Sequence, residues 1–193
     1  AVADLVEGNN PVYFQFAGCR YESPVSTLNV LLDKMPPQLE SLELRGHLAD
    51  ENGVFWLSTD AATVTIDILA DDAQSAVAGI AVLHTHDNTA PALADIVYDE
   101  VNAPSGLILD SRQVGLTEGD GEKKIFVFLK DLAGNITESD YGELVVQVDT
   151  QAPTNGTIAM SGSNADGASS TVTNSALVTL TLSAEGATQY RVG

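Results

Sequence analysis

Few residues in this chain have both the type and the spacing that chemistry requires. His84-Thr85-His86-Asp87 sets two imidazoles at i and i+2. On a strand both face the same way, and a zinc ion can use such a pair when further ligands join it. No third ligand stands at a diagnostic spacing, so the pair reads as a solvent-facing strand end. Trp56, within Val54-Phe55-Trp56-Leu57, could join Tyr98 and Tyr141 in a platform for stacking a sugar ring. The competing reading is a core tryptophan. No Gly-x-Ser-x-Gly elbow, phosphate-cradling glycine loop or Cys/His pair is present. The many carboxylates do not by themselves make a glycosidase pair. The chain therefore reads as no enzyme. Cys19 is its single cysteine and reads as a small buried residue replacing the asparagine of the turn motif, with an intermolecular bridge as the alternative. Asn135-Ile136-Thr137 and Asn155-Gly156-Thr157 match the N-glycosylation acceptor pattern.

Charge narrows the partners. The chain has 27 acidic and 8 basic residues, a net charge of −19. Residues 36–152 hold 21 of the acidic and 5 of the basic ones, a net −16. No basic stripe exists to release phosphate counterions, so a nucleic-acid partner is not expected. Such a surface suits high solubility or bound divalent cations. No apolar run reaches the length of a membrane span, so no membrane insertion is expected. No basic segment followed by an apolar one reads as a signal peptide.

The elements that must position any site are strands. Apolar residues alternate at Val64, Ile66 and Ile68, at Ile80 and Val82, and at Leu144, Val146 and Val148. The segment Ile125 to Leu129 is apolar on both faces and reads as a central strand. Turn-formers separate these runs, among them Asp50-Glu51-Asn52-Gly53, Glu118-Gly119-Asp120-Gly121 and Gly134-Asn135. Strands are expected near 40–45, 54–58, 62–70, 78–85, 93–99, 106–115, 123–130 and 142–149. A further strand fits Ser26 to Lys34, and Ser161 to Ser175 reads as a loop. Short strands at this cadence indicate a sandwich or barrel, and eight of them in about 117 residues suit two packed antiparallel sheets, with no convincing helix anywhere.

An internal repeat sets the domain plan. Leu28, Val30, Asp33 and Pro37 stand 116 positions before Leu144, Val146, Asp149 and Pro153. Ala17-Gly18-Cys19 keeps that offset from Ala133-Gly134-Asn135, which sets Phe14 and Gln15 against Lys130 and Asp131. After a two-residue slip, Ala62, Val64 and Ala70 match Ala176, Val178 and Ala184. A fixed period of domain size indicates a tandem array. Residues 1–35 then read as the closing part of one unit, 36–152 as a complete unit, and 153–193 as the opening part of a third. The short proline-bearing junctions favour a rod. Opening and closing parts on neighbouring chains could also pair strand to strand.

The block Gly119-Asp120-Gly121, Lys123 to Val127 and Lys130-Asp131-Leu132-Ala133-Gly134-Asn135, followed by Asp149-Thr150-Gln151-Ala152-Pro153, resembles the bacterial Ig-like repeats of large secreted and cell-surface proteins. The resemblance implies an all-β fold of tandem Ig-like antiparallel β-sandwiches, with the terminal ones incomplete. It implies a structural module of an S-layer, surface filament or adhesin stalk outside the cell, acting as a rigid spacer. Its partners would be adjacent Ig-like domains or other copies of the chain. The alternatives are a glycan- or protein-binding module acting through Trp56 on the cell surface, or a spacer attached to a secreted enzyme. Arrays of this kind hold calcium where carboxylates of adjacent units converge. The expected donors are Asp33, Asp71, Asp72, Asp131 and Asp149, since calcium takes six to eight oxygens. Turn-capping is the competing role for these aspartates.

Overall fold

Alternating apolar residues make two-faced strands, and such strands must bury one face against a second sheet. A computed structural model shows that outcome. It describes residues 4–59, 63–161, 177–187 and 190–191, and these form an all-β protein with antiparallel sheets. The chain divides into two units, Ala1–Asp149 and Thr150–Gly193.

The first unit opens with an antiparallel hairpin of β1 (Gly8–Phe14) and β2 (Ser26–Leu32). Two sheets follow. One has three strands in the order β3 (Gln38–Leu44), β5 (Thr63–Asp71), β8 (Leu107–Gly115). The other has five in the order β4 (Val54–Leu57), β10 (Gly142–Val148), β9 (Gly121–Asp131), β6 (Val77–His84), β7 (Asp99–Ser105). All pairings are antiparallel except β4 with β10.

The inner faces share one core. Leu44, Ile66 and Ile68 of the smaller sheet pack with Ile80, Ile125, Val127 and Val146 of the larger. Strand β9 is buried on both faces, as its sequence indicates, because Phe126 and Phe128 point outward into a second cluster with Ala81 and Ile96. That cluster explains the one misplaced element. Instead of a strand at 93–99, the chain forms a 3-10 turn at Leu93–Asp95, and β7 begins only at Asp99. Ile96 covers the outer phenylalanines, so the segment caps the sheet rather than extending its ladder. Arg112 on β8 meets Asp110 at 2.8 Å and Asp99 on β7 at 3.5 Å, linking an edge of each sheet.

In the second unit, β11 (Thr154–Ser161) pairs antiparallel with β12 (Thr179–Glu185). Most of the expected loop at Ser161–Ser175 lies outside the described residues.

Candidate metal centre

Three of the five expected donors meet. Carboxylate oxygens of Asp33, Asp72 and Asp131 all lie within 4.8 Å of one another, and these three buried residues could hold a metal ion. Each reaches the cluster from the end of a strand. Asp33 follows β2, Asp72 follows β5, and Asp131 closes β9. All three residues are more than nine-tenths buried.

Each carboxylate uses part of its capacity on local backbone, which is the turn-capping role the sequence also allowed. Asp72 Oδ1 accepts the amides of Gln74 at 3.0 Å, Ser75 at 2.7 Å and Ala76 at 3.0 Å. These bonds hold Ala76 at φ 126°, a region that costs a non-glycine residue strain. Ala76 in turn accepts the Leu132 amide at 3.1 Å, tying this turn to the one after β9. Asp131 Oδ1 accepts the amides of Gly134 at 2.6 Å and Asn135 at 2.8 Å. Gly134 sits at φ 97°, the left-handed geometry that its place in the motif requires. Asp33 Oδ1 accepts the Met35 amide at 3.0 Å.

Capping does not account for the convergence. Asp33 Oδ2 is buried and has no hydrogen-bond partner. Unit charges about 4 Å apart repel by about 4 kcal/mol at an effective dielectric near 20. A buried carboxylate oxygen without a donor adds a desolvation cost. A cation placed among the three groups relieves both. A small cavity of about 150 Å³ adjoins the cluster, lined by Asp33, Asp72, Pro36 and Gln74 among others.

Asp71 also lines that cavity but stands outside the cluster, because neighbouring residues at the end of a strand point to opposite sides. Asp149 lies at the other end of the β9–β10 ladder, beyond the Gly121–Val148 pair, and its amide donates to Leu57 O at 2.9 Å. The residue that sequence reasoning undervalued is Asn135. Its Nδ2 donates to Asp131 Oδ2 at 2.7 Å, to Asp33 O at 3.1 Å and to Met35 O at 3.3 Å. It clasps the chain leaving the first hairpin to the turn after β9. A turn role for Asn135 was legible in the Ala-Gly-Asn motif, but a partner some hundred positions away was not.

The remaining candidates stay apart from this centre. His84 Nδ1 donates to Lys124 O at 2.8 Å and Nε2 meets Thr117 Oγ1 at 3.1 Å, so both ring nitrogens are engaged within the fold. Trp56 is 55% exposed on the edge strand β4, so the core reading of this residue does not hold. Its indole N–H donates to Asp50 Oδ2 at 3.0 Å. That bond is the first of the causes holding the Asp50 carboxyl below its ordinary value, ahead of the amides of Val54 and Asn52. Tyr98 and Tyr141 pack instead against the outer cluster of Phe126 and Phe128. No helix among the described residues is long and apolar enough to cross a membrane. Compared with known protein families and with curated proteins, the chain matches none.

Proposed function

We propose that the protein is a non-catalytic structural module of an extracellular repeat protein, built from Ig-like sandwiches as in an S-layer, surface filament or adhesin stalk. In this reading it is a rigid spacer, and a calcium ion holds its first junction. The observation that carries the reading is the Asp33–Asp72–Asp131 cluster with its orphaned Asp33 oxygen. Asp33 ends the segment that the repeat assigns to one unit, while Asp72 and Asp131 belong to the next. A cation shared between them would add a cross-link to the five-residue connection between β2 and β3.

The donor chemistry favours calcium. All three groups are hard oxygen donors, with no imidazole or thiolate among them. They come from the ends of three different strands, and calcium tolerates such irregular geometry where magnesium demands a near-ideal octahedron. Titration calorimetry on the chelator-treated chain tests this. One calcium per chain is expected, with an affinity weakened at least about tenfold in Asp33→Asn. Equal binding by the variant overturns the assignment.

The exposure of Trp56 favours a second reading, in which the β4 edge recognises a glycan or a cell-surface protein. Saturable glycan binding that is lost in Trp56→Ala would support it. A glycan array without signal removes it.

A further inference from the structure

Strand β8 borders the smaller sheet of the complete sandwich, as the last strand in the order β3, β5, β8. Its ladder with β5 is regular, from Leu107 opposite Asp71 to Gly115 opposite Thr63. Two bonds fix the direction of its backbone groups. The Arg45 amide donates to Thr65 O at 2.9 Å, so odd-numbered residues of β5 turn toward β3. The Asp72 amide donates to Gly106 O at 2.8 Å, one pair beyond Asp71 and Leu107, so even-numbered residues of β5 serve β8. Antiparallel ladders alternate in this way. On β8, therefore, Ile108, Asp110, Arg112 and Val114 direct their amides and carbonyls to β5. Leu109, Ser111 and Gln113 direct theirs out of the sheet.

The Ser111 amide accordingly finds a side chain, donating to Asp110 Oδ1 at 2.7 Å. Asp110 Oδ2 accepts Arg112 Nε at 3.1 Å and Nη2 at 2.8 Å. Leu109 stands 78% exposed beside these groups. A proline, a bulge or a lysine protects many sheet edges, and β8 has none of them against β5. Inward-facing charges protect others, but the two here have opposite signs and lie two residues apart. That makes the strand self-complementary. An antiparallel copy centred on Ser111 sets Asp110 opposite Arg112 and Arg112 opposite Asp110. The same register sets Ile108 opposite Val114 and Leu109 opposite Gln113. It also brings outward-directed backbone groups face to face, since it pairs odd positions with odd ones.

We propose that β8 is an interface to which a second copy of this chain adds its own β8, antiparallel and about a two-fold axis at Ser111. Leu109, Ser111 and Gln113 then exchange backbone hydrogen bonds with Gln113, Ser111 and Leu109 of the second copy. The two smaller sheets join into one. Asp110 releases the Ser111 amide and trades its own-strand Arg112 for that of the second copy, so ion pairing is kept while a ladder is gained. Ile108 and Val114, both core residues, become neighbours across the joint. A two-fold contact uses the same surface on both molecules, so the assembly closes at the dimer. The net −16 of residues 36–152 opposes association at low salt and is screened at moderate salt. The contact needs no cation, so it stands or falls separately from the calcium reading.

Sedimentation equilibrium of the 193-residue chain, in chelator and at moderate salt, tests the proposal. The expected result is an average mass that climbs with concentration and levels off at the dimer. Asp110→Arg sets arginine against arginine across the axis, and Arg112→Asp sets aspartate against aspartate. Each should weaken association at least about tenfold. Mixed in equal amounts, the two variants should form a 1:1 heterodimer, because every opposed pair then has opposite signs. Should either variant alter the circular dichroism of the sandwich, hydrogen exchange on the parent chain decides instead. Protection of the Leu109, Ser111 and Gln113 amides should then rise with protein concentration. A parent chain that stays monomeric overturns the proposal, as does association indifferent to both charge reversals. A mixture that fails to recover, or amide protection independent of concentration, does the same.

Discussion

Gly142 shows how tightly single residues are specified here. It opens β10 directly beneath the smaller sheet, and a Cβ at this position would collide with Leu39 Cδ2. It would also stand 3.2 Å from Leu42 Cδ2 and 3.4 Å from Val127 Cβ. Overpacking of this kind typically costs about 1–3 kcal/mol. Gly142→Ala should therefore lower the denaturant midpoint of the first unit, and an unchanged midpoint would contradict the packing described. The candidate site was legible at the same scale, but unevenly. Asp131 stands out through its Lys-Asp-x-Ala-Gly-Asn motif, and Asp33 through its junction. Asp71 and Asp72 were indistinguishable in sequence because both follow the same apolar run. Only the end of β5 decides which of them turns into the cluster.

Strands were legible wherever burial is periodic. The alternation at Val64 to Ala70 and the two-faced apolar run at Ile125 to Leu129 both became the expected strands, in β5 and β9. The segment 93–99 failed for a physical reason. Its apolar residues serve the outer cluster through Ile96 and Tyr98, and such contacts leave no period of two along the chain. The hairpin registers correct a finer point. The match of Ala17-Gly18-Cys19 to Ala133-Gly134-Asn135 sets Phe14 and Gln15 against Lys130 and Asp131. The pairing of Gly8 with Leu32 instead makes β1 the counterpart of a stretch starting at Gly121, three positions earlier. The connection between the paired strands is three residues shorter in the first copy. Composition cannot reveal such a shift, whereas a ladder of backbone hydrogen bonds fixes it.

At the scale of the molecule, a cation held by the buried acidic cluster would couple metal binding to stability. An ion that binds only the folded form stabilises it by about 2.7 kcal/mol at a hundredfold excess over its dissociation constant. For a unit of this size, that corresponds to a rise of about 5–10 °C in Tm. Scanning calorimetry should show this rise for the first unit when calcium replaces chelator, and no rise in Asp33→Asn. A Tm indifferent to calcium in the parent chain would count against a cation among Asp33, Asp72 and Asp131. The sequence by itself determined the all-β class and most of the strands. These follow from side-chain period, which is a local property of the chain. Tertiary structure decided which aspartates meet, that Asn135 bridges two distant segments and that Trp56 faces solvent. Those outcomes depend on how separate strands close around a shared core, a relation that no single stretch of residues contains.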